Sequence, residues 1–285
     1  MNQASKANYS PLIILVLLAA LVAMSWLYVG ERSKDHSSQR QESSASGQQV
    51  FHWKLVTTWP KNFPGLGTAP EKFAAIVNKM SQGRLLIKVY GAGELVPAMG
   101  VFDAVSTGSA EAGHGAAYYW KGKLASSIFF TAVPFGMTAQ EMNGWLYHGG
   151  GLELWREAYA PFNLVPMAGG NTGVQMAGWF NKEINSASDL KGLKMRIPGL
   201  GGDVMAKLGA SPVSLPGGQI YENLVSGAID ATEWVGPWND EIMKFYEAAK
   251  SYYFPGMHEP GSALAAGCNK SWLTSLSNSD QVIIE

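Results

Sequence analysis

The sequence predicts an α/β protein, because its first folded stretch reads strand, helix, strand. Residues 51–58 alternate apolar and polar side chains, as a half-buried strand does, and residues 85–90 form a second apolar run. A helical pattern lies between them, and a strand–helix–strand connection of this kind joins parallel strands. The chain has 285 residues, which is enough for two domains of ordinary size.

The first predicted helix has sequence signals at both ends and one apolar face. Thr68 followed by Glu71 fits a capping box, and Gly83 ends the pattern. The apolar positions recur with helical spacing at Phe73, Ile76, Val77 and Met80. This stretch is therefore expected to cross from the first strand to the second.

A second helix–strand unit, over 98–107 and 110–114, has a weak counterpart later in the chain. The pattern F-x5-G-x2-E-x2-H beginning at Phe102 matches Y-x5-G-x2-D-x2-E beginning at Tyr221. If the match reflects two similar domains, each domain offers a polar group at the carboxyl end of a strand. Ligands bind there in open α/β sheets.

The rest of the chain continues as short strands and helices. The predicted strands cover 164–167, 174–180, 193–197, 228–235 and 252–254. The predicted helices cover 145–159, with an interruption, and 201–208, 219–226, 241–249 and 272–285. Residues 113–115, Gly-His-Gly, are expected to form a tight turn.

Composition excludes several functional classes. The formal net charge is −1 with no basic stripe, which argues against a nucleic-acid partner. The single cysteine, Cys268, excludes an internal disulfide and a multi-cysteine metal site. The 5 histidines show no pair at metal-ligand spacing, and no G-x-S-x-G or Cys–His signature is present. The glycines at 199–202 lack the third glycine of a dinucleotide motif.

The first 50 residues carry a signal of a different kind. Residues 12–29 are almost wholly apolar and as a helix would span ~27 Å, close to the thickness of a bilayer core. Residues 31–49 are polar and have the composition of a disordered spacer. We expect export from the cytoplasm, by a cleaved signal peptide or an uncleaved anchor. The absence of a small-x-small motif directly after the apolar run favours the anchor.

Three polar residues stand out against apolar neighbours in strand-like runs: Gln175, Arg196 and Glu233. An arginine suits a carboxylate, because its planar fork donates two parallel hydrogen bonds. The oxygens of a glutamine and a glutamate suit a hard cation or a hydroxyl group. Together the three residues predict a small carboxylate held between an arginine and a bound cation.

Each of these residues also has a purely structural alternative. A buried arginine must be paired, and Asp189 or Asp203 could be the partner of Arg196. Glu233 could pair with Arg196 itself, and Gln175 could bond to the backbone. Likewise, the aromatic residues 118–120 could wall a small pocket or belong to the core.

Six motifs occur in one order along the chain: GHGAAYYW (113–120), VPFGM (133–137), GNTGVQMAGWF (170–180), LKGLKMRIPGLGG (190–202), DATEWVGPWND (230–240) and YYFPGMHEPG (252–261). In these motifs the chain resembles the extracytoplasmic solute receptors of TRAP transporters, the DctP-type subunit. It is most similar to the branch that binds 2-oxo or 2-hydroxy monocarboxylates such as pyruvate or lactate. The resemblance covers residues 53–271.

The resemblance implies a two-lobed fold like that of periplasmic binding proteins, with a hinge and a cleft between the lobes. It implies the following division: signal or anchor and spacer at 1–50, lobe I at 51–173, lobe II at 174–231, a return to lobe I at 232–268, and the start of a truncated C-terminal helical region at 269–285. Family members continue past residue 285, and this branch exchanges a C-terminal helix in a homodimer.

The resemblance also assigns roles to residues. The family's carboxylate-binding arginine corresponds to Arg196. A bridging cation, sodium or calcium, is held in this branch by residues that correspond to Gln175, Glu233 and the backbone carbonyl of Trp234. The predicted substrate-binding set is Arg196, Gln175, Tyr118 and Asn171. On this basis Arg196→Ala is predicted to abolish binding and to leave the fold nearly intact.

The implied function is a periplasmic receptor without enzymatic activity. It would capture a small 2-oxo or 2-hydroxy carboxylate and deliver it to the membrane permease subunits of a TRAP system. Two alternatives stay open. One is a membrane-tethered sensor with the same pocket, and the other is a metal-dependent lyase or hydrolase that uses Glu233 as its base.

Overall fold

The computed structural model describes residues 49–285, and Val50–Glu285 form one compact unit. The predicted signal or anchor and its spacer, up to residue 48, lie outside the described residues. Between residues 49 and 285, no helix combines the length and the apolar character needed to cross a bilayer.

The strands of the described residues form two five-stranded sheets. The strands are β1 (Phe51–Thr57), β2 (Leu85–Tyr90), β3 (Ala112–Gly115), β4 (Leu164–Asn171), β5 (Gly178–Phe180), β6 (Lys194–Arg196), β7 (Ser211–Val213), β8 (Ala231–Thr232), β9 (Ser251–Tyr253) and β10 (Ala263–Asn269). The first sheet has the order β2-β1-β3-β10-β4 and the second has the order β7-β6-β8-β5-β9. The predicted α/β class is confirmed.

Helices cover both sheets. The α-helices are α1 (Thr68–Met80), α2 (Val101–Ser106), α3 (Ala139–His148), α4 (Gly151–Tyr159), α5 (Gly199–Lys207), α6 (Ile220–Val225), α7 (Pro237–Ile242), α8 (Phe245–Ala248), α9 (Lys270–Thr274) and α10 (Asn278–Ile284). Short 3₁₀ turns cover Ala98–Gly100, Ala117–Trp120, Ala125–Phe130, Ala160–Phe162, Ala187–Leu190 and Gly217–Gln219. The helix predicted over 241–249 is broken at Lys244, whose φ of 58° is left-handed.

The opening strand–helix–strand unit forms as predicted. β1 pairs in parallel with β2, and α1 connects them. The predicted capping box is not formed, because its two side chains bind the preceding loop instead. The Thr68 hydroxyl accepts from the backbone N–H of Gly65 at 3.1 Å, and the Glu71 carboxylate accepts from the N–H of Asn62 at 3.2 Å.

The prediction of a tight turn at 113–115 is wrong, because these residues lie in β3, between β1 and β10. At Gly113 and Gly115 the missing side chain lets neighbouring side chains pack closely against the strand. A Cβ on Gly113 would lie 2.8 Å from the side chain of Val101, and one on Gly115 would lie 2.9 Å from that of Trp120. His114 between them is buried, and its Nδ1 accepts from the indole N–H of Trp59 at 2.8 Å.

The chain passes between the two sheets at residues 172–177 and again at residues 254–262. These two crossings run side by side, since the N–H of Gln175 donates to the carbonyl of Glu259 at 3.1 Å and the N–H of Thr172 donates to that of Ser262 at 3.0 Å. The predicted strand over 174–180 is therefore shorter, and Gln175 lies in a crossing rather than in β5.

The segment 232–268, predicted to return to the first lobe, contains a strand of the second sheet. β9 pairs antiparallel with β5, and only β10 returns to the first sheet, between β3 and β4. The sequence pattern does not show this difference, because β9 has only 3 residues and its partner strand is distant in the chain. The lobe boundaries at 173 and 231 stay a prediction.

An ion pair between Arg84 and Asp280 joins the start of β2 to α10. The Arg84 guanidinium donates to Asp280 Oδ1 from Nη2 at 2.8 Å and from Nε at 3.1 Å, and the Asp280 side chain is 6% exposed. The hydrogen bond from Arg84 lowers the pKa of Asp280 below its ordinary value of 3.8. The stabilisation is therefore complete above that ordinary value and is lost as the pH falls through the lower, folded-state pKa.

We expect Asp280→Asn to lower the free energy of unfolding by about 1–3 kcal/mol at pH 7, because a charged hydrogen bond is lost. The difference between variant and wild type should narrow as the pH falls below 3.8. Urea unfolding at pH 7 and in acid measures both quantities. Glu94→Gln is the matched control, since its contact with Lys61 is 4.0 Å and exposed. Equal losses for the two variants at pH 7 would contradict the prediction.

Candidate functional site

The centre of the site is an ion pair between Arg196 and Glu233. Arg196 ends β6 and Glu233 follows β8, and these strands are parallel neighbours, so their ends meet. Arg196 Nη1 donates to Glu233 Oε1 and, at 3.3 Å, to the Glu233 carbonyl. Both side chains are 1% exposed. Of the partners that the sequence left open for Arg196, the structure therefore selects Glu233.

The two other candidate partners of Arg196 bind elsewhere. The Asp203 carboxylate contacts Lys121 Nζ at 2.5 Å. The Asp189 carboxylate accepts from the backbone N–H of Ser186 at 2.8 Å, at the start of a 3₁₀ turn. Neither aspartate compensates the buried guanidinium, which makes Glu233 its counter-ion.

The remaining contacts of Arg196 hold its guanidinium plane in place. Nε donates to the carbonyl of Leu215 at 3.2 Å, Nη2 donates to the hydroxyl of Tyr119 at 3.1 Å, and the group lies 5.1 Å from the centre of the Trp234 ring. Burial is the largest influence and opposes the charge, but Glu233 and the other acidic groups nearby together outweigh burial and raise the pKa of Arg196. A guanidinium has five N–H groups, and these contacts engage four of them. One N–H, on Nη2, remains for a ligand.

Gln175 faces this pair from the first crossing. Its Nε2 donates to Glu259 Oε2 at 2.7 Å and to the hydroxyl of Thr172 at 3.1 Å. Its Oε1 is buried and has no hydrogen-bond partner among the described residues. The alternative in which the Gln175 side chain bonds to the backbone is thus not what the structure shows.

His258 and Glu259, in the second crossing, complete the cluster, and the sequence analysis missed both. His258 Nε2 lies 3.3 Å from Glu233 Oε2. Ligand atoms of Glu233, His258 and Glu259 all lie within 4.8 Å of one another. The search for histidine pairs could not find them, because His258 is combined here with carboxylates. Their one sequence signal is the motif at 252–261, which contains both.

The charges in this cluster shift its acid–base properties. Burial opposes protonation of His258, but the hydrogen bond to Glu233 and its negative charge outweigh burial and raise the pKa of His258. Burial and, after it, the charge of Glu233 raise the pKa of Glu259 to about 7. The site therefore brings two buried acidic groups together, and a bound cation would stabilise their negative charge.

The three other predicted site residues lie close to this cluster. Tyr118 packs against the start of α5, where a Cβ on Gly199 would be 3.2 Å from its ring. Burial, and then the charge of Glu259, raise the pKa of Tyr118, so its phenol is neutral. Asn171 ends β4, and its Oδ1 accepts from the N–H of Gly173 at 2.8 Å. Trp234 packs edge-on against the ring of Trp59, with 6.2 Å between the ring centres.

Three buried polar atoms of the site have no partner among residues 49–285: Gln175 Oε1, Asn171 Nδ2 and Trp234 Nε1. Eight other buried side-chain atoms of the described residues are also unpaired, so the feature specific to this site is that Gln175 Oε1 lies beside the charged cluster, where a polar ligand could bind it. The oxygens of Gln175 and the glutamates suit a hard cation. The guanidinium of Arg196 suits a carboxylate. The site can therefore hold a small carboxylate and a cation together.

Residues 55–285 match the family DctP, bacterial extracellular solute-binding protein, family 7. The chain belongs to this family. The predicted resemblance to the solute receptors of TRAP transporters is confirmed. Members of this family are extracytoplasmic.

This solute-binding protein has a relative in Nostoc sp. (strain PCC 7120 / SAG 25.82 / UTEX 2576). The relative is a monocarboxylate 2-oxoacid-binding periplasmic protein. It is 50% identical over 222 residues, which are 78% of this chain and 61% of the relative. The chain thus spans less than two thirds of the length of this relative.

Two solved structures of TRAP periplasmic solute binding proteins are each 48% identical to this chain. The protein from Pseudoalteromonas atlantica, with bound sodium and pyruvate, has a TM-score of 0.81 over 83% of this chain and 71% of its own. The protein from Colwellia psychrerythraea, with bound calcium and pyruvate, has a TM-score of 0.80 over 83% and 72%. The predicted two-lobed α/β fold is confirmed by these similarities.

Proposed function

We propose that this protein is the solute receptor of a TRAP transporter and captures a small 2-oxo or 2-hydroxy carboxylate such as pyruvate or lactate. The observation that carries the proposal is the buried Arg196–Glu233 pair beside Gln175, whose Oε1 lacks a partner among the described residues. The names of the Nostoc, Pseudoalteromonas and Colwellia proteins support the same ligand class. Delivery to membrane permease subunits follows from the family.

In this proposal the guanidinium of Arg196 binds the carboxylate of the ligand. Gln175, Glu233 and the carbonyl of Trp234 would hold the cation, which supplies a positive charge for the carboxylate and 2-oxo oxygens. Tyr118 and Asn171 are further candidates for contact with the ligand. The donor set fits a hard cation, since it consists of oxygens and includes the partnerless Oε1 of Gln175.

The cation and the carboxylate should bind cooperatively, because both depend on the Arg196–Glu233 pair. Arg196 has one N–H that is not bonded to another described residue. Bidentate binding of a carboxylate needs two N–H groups. Arg196 can give up a hydrogen bond to Glu233 only if another positive charge compensates that carboxylate, because an unpaired buried charge costs several kcal/mol. Occupation of Glu233 by a cation would therefore release Arg196 for the ligand.

The geometry does not favour a lyase or hydrolase. Both oxygens of the Glu233 carboxylate already have partners, Arg196 at Oε1 and His258 at Oε2. A general base must have an oxygen within reach of the substrate proton. A binding role without catalysis fits the site better. The signal or anchor, the tethered-sensor alternative and the homodimer stay predictions.

Calorimetric titration of the full chain, kept in mild detergent, tests the proposal. Pyruvate should bind in sodium or calcium buffer, and its affinity should fall at least about 100-fold, or about 2.7 kcal/mol, after the cations are removed. Acetate is the matched control ligand, since it keeps the carboxylate and lacks the 2-oxo oxygen, and we expect it to bind far more weakly. Equal affinity for pyruvate with and without cations would overturn the cation role, and no binding of any 2-oxo acid by folded protein would overturn the ligand class.

A further inference from the structure

The orientation of the Gln175 amide decides what this side chain can offer to a ligand. A glutamine presents an acceptor oxygen on one side of its amide and two N–H donors on the other. The two ends have nearly the same shape, so the surrounding hydrogen bonds determine which end meets the ligand. In this protein two neighbours determine it.

The first neighbour is Glu259, on the opposite crossing. Its Oε2 lies 2.7 Å from Gln175 Nε2, and the side chains of both residues are buried. An ionised carboxylate can only accept, so with Glu259 in its ionised form this contact favours the N–H end of the amide. The crossings are also joined along the backbone, where the Gln175 N–H donates to the Glu259 carbonyl at 3.1 Å. This backbone hydrogen bond keeps the two side chains next to each other.

The second neighbour is Thr172, and its hydroxyl can only accept from Gln175. The hydroxyl proton is directed to the carbonyl of Gly173 at 3.0 Å. The two lone pairs accept from Gln175 Nε2 at 3.1 Å and from the N–H of Ser262 at 3.3 Å. All three hydrogen-bonding positions of the hydroxyl are thereby filled.

Both N–H groups of the amide are thus bound to acceptors, and only Oε1 remains. We propose that Glu259 and Thr172 are positioning residues that hold the Gln175 amide with its oxygen free, and that they thereby set the affinity of the site for the cation. This inference rests on the proposed function. It predicts that weakening either contact raises the cation concentration needed for binding. It also predicts that the affinity for the carboxylate at saturating cation stays unchanged, because among the described residues Arg196 forms a hydrogen bond with neither residue.

Thr172→Val is the most specific test, because valine has the shape of threonine, lacks the acceptor and removes no candidate cation ligand. Pyruvate is titrated at a series of sodium concentrations, and the half-saturating sodium concentration is extracted. We expect it to rise about fivefold, the effect of one neutral hydrogen bond. The dissociation constant of pyruvate at saturating sodium should stay within about twofold. Thr172→Ser should restore the wild-type sodium requirement.

Glu259→Gln is a second variant, less specific than Thr172→Val because it also removes a negative charge from the cluster. A glutamine at this position can donate as well as accept, so the amide of Gln175 is free to turn over. We expect a larger increase in the half-saturating sodium concentration than for Thr172→Val, about tenfold, because a charge-assisted contact is stronger than a neutral one. Thr57→Val is the matched control for Thr172→Val. Thr57 is also buried, but its hydroxyl donates to the carbonyl of Trp59 and is not bonded to Gln175.

The outcomes separate this inference from the proposed function. If wild type needs sodium and neither Thr172→Val nor Glu259→Gln changes the half-saturating concentration, the positioning role is wrong and the receptor function stands. The same conclusion follows if the variants weaken pyruvate binding equally at all sodium concentrations, or if Thr57→Val has the same effect. A wild-type protein that binds pyruvate without any cation would overturn both.

Discussion

Arg196→Ala is expected to abolish pyruvate binding and to destabilise the protein at the same time. Removing the guanidinium leaves Glu233 as a buried carboxylate whose remaining partner is His258. Breaking a buried pair by removing one partner costs about 3–5 kcal/mol. This corrects the expectation from sequence that the fold stays nearly intact, which assumed a guanidinium without a buried counter-ion. Urea unfolding and calorimetric titration measure the two effects.

Two further variants separate the loss of charge pairing from the loss of binding. Adding Glu233→Gln to Arg196→Ala removes the uncompensated charge, so part of the stability should return while binding stays absent. Arg196→Lys keeps the charge but not the planar fork or all four hydrogen bonds, so we expect a smaller loss of stability than in the alanine variant, with affinity reduced by about 10–100-fold. The assignment of Arg196 would be wrong if the alanine variant bound pyruvate with wild-type affinity.

Gly178→Ala is expected to have the second-largest effect on stability and binding. Gly178 lies in β5, beside β8, the strand that Glu233 follows. Its φ is 125°, a conformation that residues with a side chain rarely adopt. An added Cβ would collide with the carbonyl oxygen of Thr232 and lie 3.2 Å from Cα of Glu233. Strain and overpacking together should cost about 2–6 kcal/mol. The displaced Glu233 should weaken pyruvate binding by more than about tenfold.

Gly192→Ala is the matched control for this prediction. Gly192 also has a positive φ, 72°, but among residues 49–285 no atom beyond its chain neighbours lies within 4 Å of the added Cβ. It should lose about 1 kcal/mol from backbone strain alone and keep its affinity for pyruvate. If the two alanine variants had equal stability and equal affinity for pyruvate, the prediction that the close approach of Gly178 to β8 limits substitution would be wrong.

The bounds of β1 and β2 were predicted more accurately than those of the strands in the second sheet, but β10, a seven-residue strand inside the first sheet, was not predicted. β2 has the predicted bounds, 85–90, and β1 differs by one residue, because their periodic patterns are local. The strand predicted at 228–235 is only Ala231–Thr232 in the structure. After it the N–H of Glu233 still donates to the carbonyl of Arg196 in β6, at 3.2 Å, but the Val235 carbonyl accepts from the N–H of Met176, in the first crossing, at 3.0 Å.

The site was predicted in part, for a similar reason. Arg196, Glu233 and Gln175 are polar residues among apolar neighbours, which a single sequence reveals. Glu259 is different, because its role depends on a hydrogen bond to a residue 84 positions away. No periodicity or spacing encodes that contact, which the pairing of the two crossings creates. The roles of all these residues in binding stay predictions.

The two crossings give the site a mechanical position as well as a chemical one. Within residues 49–285 the backbone joins the sheets only at 172–177 and 254–262, so any rotation of one sheet against the other must be absorbed there. Gln175 and Glu259 lie on these two segments, at the pivot rather than at the rim. A ligand bound at Gln175 would act close to this pivot, and a small displacement there would become a larger movement at the outer edges of both sheets.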